Sequence, residues 1–186
     1  REVIGGAGND WLWGGAGADH FVGGEGYDTV SYSNSLEGVR VEDFTNYGGL
    51  TDAYGDTFTG IEAIQGSGFD DVIYRHKDFM SIDGADGHDT VSYRYAFDSA
   101  NVVIGGGANA AGDTLLNVEK VIGSSGADHF TVNASGVTVA GGRGDIRGST
   151  RRLGCHLARG LHGSHARCPA ARRPQQAGGG SARRDE

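Results

Sequence analysis

Residues 5–31 read GGAGNDWLW-GGAGADHFV-GGEGYDTVS, three nonapeptides laid end to end. Each opens on a glycine pair, repeats glycine at its fourth place, puts aspartate at its sixth and a large apolar residue at its eighth. Aligned on Asp10, Asp19 and Asp28, the eighth places are Leu12, Phe21 and Val30. A short period of this kind decides the fold, because each unit is too small to bury its apolar residue alone and must stack on a neighbour. Six residues of turn and three of strand make half a turn of a parallel β-solenoid, so positions 18 apart should stack on the same side. The expected fold is all-β, a parallel β-roll.

The period continues in worn form. Residues 66–74 (GSGFDDVIY) place Asp71 sixth and Ile73 eighth, 84–92 (GADGHDTVS) place Asp89 and Val91, and 123–131 (GSSGADHFT) place Asp128 and Phe130. Between them, 75–83 (RHKDFMSID) keeps Ile82 but has Met80 where aspartate belongs. The repeat clusters are thus 5–31, 66–92 and 123–145. A longer duplication overlies them: YDTVSY (27–32) returns as HDTVSY (88–93), and GDTFTGIEAIQGSGFDDVI (55–73) returns as GDTLLNVEKVIGSSGADHF (112–130). The offset is 61 at the first pair and 57 at the second. Segments 36–42 and 100–105 read as further strands. Residues 45–56 and 105–113, rich in glycine and polar residues, read as loops.

Glycine, at 35 of 186 residues, far exceeds the usual ~7%. Charge divides the chain. Residues 1–145 hold 22 acidic and 7 basic side chains, net −15; residues 146–186 hold 2 and 9, net +7, which recovers the overall −8. Every aromatic precedes position 146, while both cysteines and both prolines follow it. This predicts a β-roll over 1–145 and a basic, low-complexity, disordered tail over 146–186. GGRGD (141–145) starts another unit, yet Ile146 stands where aspartate should. A frameshift explains that abrupt change best, and a basic tail for an acidic partner is the second reading. The first residue is Arg1 and the pattern is running by Gly5, so a piece of a longer protein with upstream domains is expected. No stretch approaches the ~20 apolar residues of a membrane span, and no signal peptide is evident.

Aspartates on one edge of neighbouring coils would sit about one strand spacing, ~4.8 Å, apart. Uncompensated, such a row repels itself and opposes folding. A hard dication removes the repulsion: calcium takes about 6–8 oxygens, from carboxylates and backbone carbonyls alike, and glycine turns can aim several carbonyls at one point. Magnesium demands stricter geometry, and zinc would want histidine or cysteine at fixed places, which the repeat lacks. The plainer readings are a glycine-rich linker or a metal-free solenoid, but apolar eighth places in every unit argue against them.

Residues 5–145 resemble the repeats-in-toxin (RTX) family, also called hemolysin-type calcium-binding repeats. The resemblance implies a β-roll with Ca2+ in its turns, in a toxin-related, secreted bacterial protein that passes through a type I secretion apparatus. Carried over by position, Asp10 with Asp28 and Asp71 with Asp89 should each complete a site. Carbonyls of the glycine turns (Gly6, Gly8, Gly24, Gly26) would supply further ligands. Asp19 finds only Arg1 and Glu37 at the 18-residue spacing, and Asp128 finds Ala110 and Ile146, which makes both half-sites. If calcium binding is coupled to folding, the acidic body stays expanded in cytosol and closes outside the cell.

No HExxH, GxSxG or CxxC motif is present, so the fragment is read as non-catalytic. Expected partners are calcium ions and upstream domains of the same protein, with no nucleic acid. The rival readings are the accessory module of a secreted protease, lipase or alginate epimerase, and the spacer of an adhesin. His20, His88 and His129 read as solvated surface. Trp11 and Trp13, at outward places, read as a docking patch or as strand packing. Cys155, His156, His162, His165 and Cys168 could be taken for a zinc cluster, a reading disfavoured by the loss of all pattern around them. The family's C-terminal secretion signal is not recognisable.

Overall fold

The computed structural model describes residues 1–42, 51–75, 78–96, 98–105 and 113–142, and the backbone of 146–150 and 165–167. The described chain is all strand and turn. Its strands are β1 (Glu2–Ala7), β2 (Trp11–Leu12), β3 (His20–Glu25), β4 (Thr29–Ser31), β5 (Arg40–Val41), β6 (Thr57–Thr59), β7 (Ala63–Gln65), β8 (Val72–Tyr74), β9 (Ser81–Asp83), β10 (Thr90–Ser92), β11 (Asn101–Ile104), β12 (Asp113–Leu116), β13 (Lys120–Ile122), β14 (Asp128–Val132), β15 (Thr138–Ala140), β16 (Ile146–Thr150) and β17 (His165–Arg167). They form an eight-stranded sheet (β16-β14-β11-β12-β9-β7-β4-β2), a six-stranded sheet (β17-β15-β13-β10-β8-β5) and a three-stranded sheet (β1-β3-β6). Every pairing is parallel except β15–β17.

Successive strands alternate between the eight-stranded wall and the other two sheets, which is a roll. The 18-residue stacking holds wherever two nonapeptides follow directly. Glu2 stands beside His20, Trp11 beside Thr29, Thr90 beside Val72. The eighth-place side chains Leu12, Phe21, Val30, Ile73, Ile82, Val91 and Phe130 are all buried in one continuous core. Full burial of each contributes roughly 1.5–3 kcal/mol, and the two-residue side-chain alternation of a strand turns its neighbours outward.

The roll departs from simple winding twice, at the same point of each long copy. After β4 the chain lays β5 beside β8, then returns to set β6 against β3. After β10 it lays β11 beside β14, then returns to set β12 against β9. These excursions stretch the stacking interval from 18 to 37 residues at His20–Thr57 and to 33 at Ser81–Thr114. The strands expected in 36–42 and 100–105 are β5 and β11. Of the expected loops, 43–50 and 106–112 lie outside the described residues.

Strand length also differs from six of turn and three of strand. β1 and β3 are six residues long and run through their glycine pairs, with Gly6 in register with Gly24. A Cβ on Gly24 would lie 1.9 Å from the Gly6 carbonyl oxygen, so only bare backbone lets the two turns stack this closely. At the other end, the tail expected over 146–186 lies mostly outside the described residues. Its first segment, β16, adds one more parallel strand, and β17 pairs antiparallel with β15.

The same crowding makes a sharp prediction. A Cβ on Gly23 would meet the Gly60 carbonyl oxygen at 1.9 Å, whereas one on Gly68 meets nothing within 4 Å. Gly23→Ala should destabilise by about 1–3 kcal/mol or more, the usual range for overpacking. Gly68→Ala should stay within ~0.5 kcal/mol, as surface changes do. Urea denaturation of both in saturating calcium checks this.

Candidate metal centre

The turns are built by glycine in two distinct ways. The second and fourth places adopt backbone angles that side chains rarely reach: φ is +133° at Gly6, +111° at Gly8, +114° at Gly24 and +138° at Gly26. The first place is emptied for the aspartate five residues on. A Cβ on Gly14 would lie 2.4 Å from Asp19 Oδ2, and one on Gly23 would lie 2.4 Å from Asp28 Oδ2. Each sixth-place carboxylate therefore folds back beneath the first glycine of its own turn.

One oxygen of Asp28, Asp71, Asp89 and Asp128 has a fixed task. The Asp10 N–H donates to Asp28 Oδ1 at 2.8 Å, and the Asp71 N–H donates to Asp89 Oδ1 at 2.8 Å. The structure thus brings Asp10 to Asp28 and Asp71 to Asp89. The row runs further in both directions. Val39 donates to Asp71 Oδ1 at 2.7 Å, Asp28 to Glu62 Oε2 at 2.8 Å and Asp89 to Glu119 Oε2 at 2.9 Å. A carboxylate of one coil caps a backbone donor of the coil before it, where the strand ladder has stopped. A buried donor left unpaired costs about 1–3 kcal/mol, which this capping avoids.

Two expectations need correction. Asp19 does have a neighbour: its N–H donates to Asp56 Oδ1 at 2.8 Å, 37 residues away. The β5 excursion displaces that neighbour beyond the 18-residue spacing. Asp128 Oδ1 accepts from the Ala100 N–H at 2.9 Å, a neighbour supplied by the turn into β11; Ala110 lies outside the described residues. Its register with Ile146 on the other side is as expected. Asp56, Glu62 and Glu119 were missed as members of these rows. Asp56 had a signal, since GDT (55–57) repeats the DT of YDT and HDT. The glutamates occur at matching places of the long duplication, in IEA and VEK.

The second oxygen divides the turns into two kinds. Oδ2 of Asp10, Asp19, Asp28 and Asp89 is buried with no hydrogen-bond partner. In the turns at Asp71 and Asp128, serine replaces the second glycine and supplies what is missing. The Ser67 N–H bonds Asp71 Oδ2 and its hydroxyl bonds Oδ1, both at 2.7 Å. Ser124 does the same for Asp128, at 2.9 and 2.5 Å.

Burying acids in these rows carries an electrostatic cost. Burial raises the Asp89 carboxyl from 3.8 to about 7, an effect that the charges of Asp71, Glu119 and Asp70 add to and the Asp71 N–H opposes. Burial likewise raises Asp56 to about 6, against the hydrogen bonds from Tyr32 and Asp19. Tyr32, buried and donating to Asp56 Oδ2 at 2.7 Å, is itself raised well above 10.

These residues fit calcium. An orphaned carboxylate oxygen and a backbone carbonyl border the same bare glycine: the point where a Gly5 Cβ would stand lies 2.6 Å from Asp10 Oδ2 and 2.6 Å from the Gly23 carbonyl oxygen. Oxygen alone is on offer: among the described residues no three histidine, cysteine or acidic side chains converge, which removes a zinc-type centre from the described chain. The cluster of Cys155, His156, His162, His165 and Cys168 lies outside the residues whose side chains are described. His20, His88 and His129 are exposed, and His20 Nδ1 sits 2.7 Å from Thr57 Oγ1. Trp11 and Trp13 are also exposed and stack on each other, ring centroids 6.2 Å apart.

The family model of the RTX calcium-binding nonapeptide repeat, in 4 copies, matches residues 2–30. No curated protein matches the chain.

The raised carboxyls fix the sign of the pH dependence without metal. A carboxyl whose folded value exceeds its unfolded one favours folding when protonated, so stability is greatest below about pH 4 and falls as pH rises. For Asp89, the fall runs from 3.8 to about 7 and then levels. Chemical denaturation in chelator at pH 4.5, 6 and 8 should show this decline, and Asp89→Asn should remove most of the part between pH 6 and 8, leaving the fall that Asp56 contributes up to about 6. A stability that climbs over that interval contradicts the assignment.

Proposed function

Residues 2–30 carry RTX calcium-binding nonapeptide repeats, RTX nonapeptide repeats bind Ca2+, and we propose that this roll is a calcium-dependent folding module of a secreted bacterial protein. The observation that carries the reading is the set of buried Oδ2 atoms without partners, three of them in turns whose bare first glycine also borders a backbone carbonyl, of Gly23, Gly60 or Asn117. An ionised carboxylate with one oxygen desolvated and unpaired is strongly destabilising unless a cation compensates it. Asp10 with Asp28, Asp19, Asp89, and the carbonyls of the turns around Gly6, Gly8, Gly24 and Gly26 are the proposed ligands. Asp71 and Asp128 line the same rows without an oxygen to spare. Ca2+ brings a hard dication that accepts such mixed oxygen donors.

Binding energy of this kind is folding energy, since the coils exist only in the folded state. In cytosol, where free calcium is scarce, repulsion among the uncompensated carboxylates keeps the turns that hold them open, a state that suits a type I export channel; outside, calcium closes the roll. The roll over 1–145 then serves as an accessory calcium-binding unit for a longer secreted protein. The exposed Trp11–Trp13 pair fits a surface that an adjoining domain covers.

Asp28→Asn separates capping from charge, because an amide oxygen can still accept from the Asp10 N–H. Losing a direct ligand should cost at least the ~10–100-fold in affinity that losing a ligand's supporting partner costs. Titration calorimetry of wild type and Asp28→Asn, read beside far-UV circular dichroism, tests this. Strand signal that is equal in calcium and in chelator contradicts the coupling; unchanged affinity in Asp28→Asn contradicts the site.

A further inference from the structure

The long duplication lets the turns of the roll be compared with one another, and at three turns beyond Gln65 the chain carries its own substitute for a cation. The first is at the turn Gly14–Asp19. Its duplicate, 61 residues on, is Arg75–Met80, so arginine stands for Gly14 and methionine for Asp19. Backbone geometry confirms the equivalence: Thr57 N–H donates to the Asp19 carbonyl at 2.9 Å, and Thr114 N–H to the Met80 carbonyl at 2.9 Å.

The acids facing these two turns are Asp56 and its duplicate Asp113. Among the described residues Asp56 accepts from neutral donors alone, the Asp19 N–H and the Tyr32 hydroxyl, while Asp19 Oδ2 nearby has no partner. Asp19 is 4% exposed and Asp56 4%. The Arg1 terminal ammonium lies 3.3 Å from Asp19 Oδ1 and leaves Oδ2 open. At the duplicate turn, Arg75 Nε donates to Asp113 Oδ2 at 2.8 Å and its Nη2 to Oδ1 at 3.1 Å. A two-pronged guanidinium pair satisfies both carboxylate oxygens at once. The turn that lost its aspartate gained a fixed positive charge.

The other two substitutes are Ser67 and Ser124. In both of their turns the aspartate still folds back beneath the first glycine: a Cβ would meet Asp71 Oδ2 at 2.1 Å from Gly66 and Asp128 Oδ2 at 2.2 Å from Gly123. The carboxylate placement is that of the open turns, and the change is a second-place serine that satisfies both oxygens.

We propose that Arg75, Ser67 and Ser124 take the cation's place at their own turns, leaving Asp10, Asp19, Asp28 and Asp89 as the carboxylates that require calcium. This rests on the calcium reading above and adds a division of labour to it. The stretch β12 to β15 holds its structure without calcium and is the template on which the metal-dependent coils β1 to β4 close. One open turn, Gly84–Asp89, lies between the two regimes.

Native-state hydrogen exchange of the full chain, followed by mass spectrometry with chelator and with calcium, tests the division. In chelator, amides of β12–β15 stay protected while those of β1–β4 exchange freely. Calcium at a hundred times its dissociation constant then raises β1–β4 protection about 100-fold, as one linked site requires. Calorimetry on the same sample separates the two levels. If no calcium binds, the proposed function falls and this inference with it. If calcium binds but chelator exposes both regions together, or neither, the inference alone falls. Two variants sharpen the result. Ser124→Gly should make β14 protection calcium-dependent, and Arg75→Gln should lower β12 protection without rescue by calcium. Protection of β14 in chelator unaffected by Ser124→Gly, or calcium rescue of β12 in Arg75→Gln, overturns the substitution.

Discussion

A carboxylate that is wanted for one oxygen and embarrassed by the other governs this roll. Coils of a solenoid must turn, and at each turn a backbone donor falls outside the strand ladder. Aspartate or glutamate from the next coil reaches it, as Asp28 reaches Asp10 and Glu119 reaches Asp89. That contact fixes the vertical register of the stack. It also buries the acid, and burial leaves Oδ2 without a partner at four turns. Structure and metal demand thus come from one side chain: the roll cannot cap its turns with acids without creating the charge that calcium, serine or arginine then answers.

The glycines follow from the same constraint. The first of each pair is bare because the carboxylate occupies the space a Cβ would fill, and the second and fourth are bare because the turn needs left-handed angles. Where serine takes the second place it does so with its own hydroxyl turned onto the aspartate, at Ser67 and Ser124. Apolar eighth places then need only to point inward, and the core from Leu12 to Val139 is continuous.

Much of this was legible in the sequence. The nonapeptide period gives the parallel roll, the buried eighth places and the 18-residue pairing of Asp10 with Asp28 and Asp71 with Asp89, because short-range periodicity is what dictates a solenoid. Contacts across an excursion were not legible. Nothing in the spacing says that β5 and β11 are each laid one position ahead, so Asp56 could not be matched to Asp19, nor Ala100 to Asp128. The difference between open and closed turns was also hidden. Serine in place of glycine reads as wear in a repeat, and only its hydrogen bonds reveal it as a donor that completes a carboxylate. Arg75 likewise reads as decay until Asp113 is seen beside it.

Anomalous diffraction from crystals of the calcium-loaded protein measures the central claim most directly. Calcium peaks should lie about 2.3–2.6 Å from Oδ2 of Asp10, Asp19, Asp28 and Asp89, with none on Asp71 or Asp128 beside their serines. Peaks on the serine-closed carboxylates, or four open carboxylates without metal, would contradict the account.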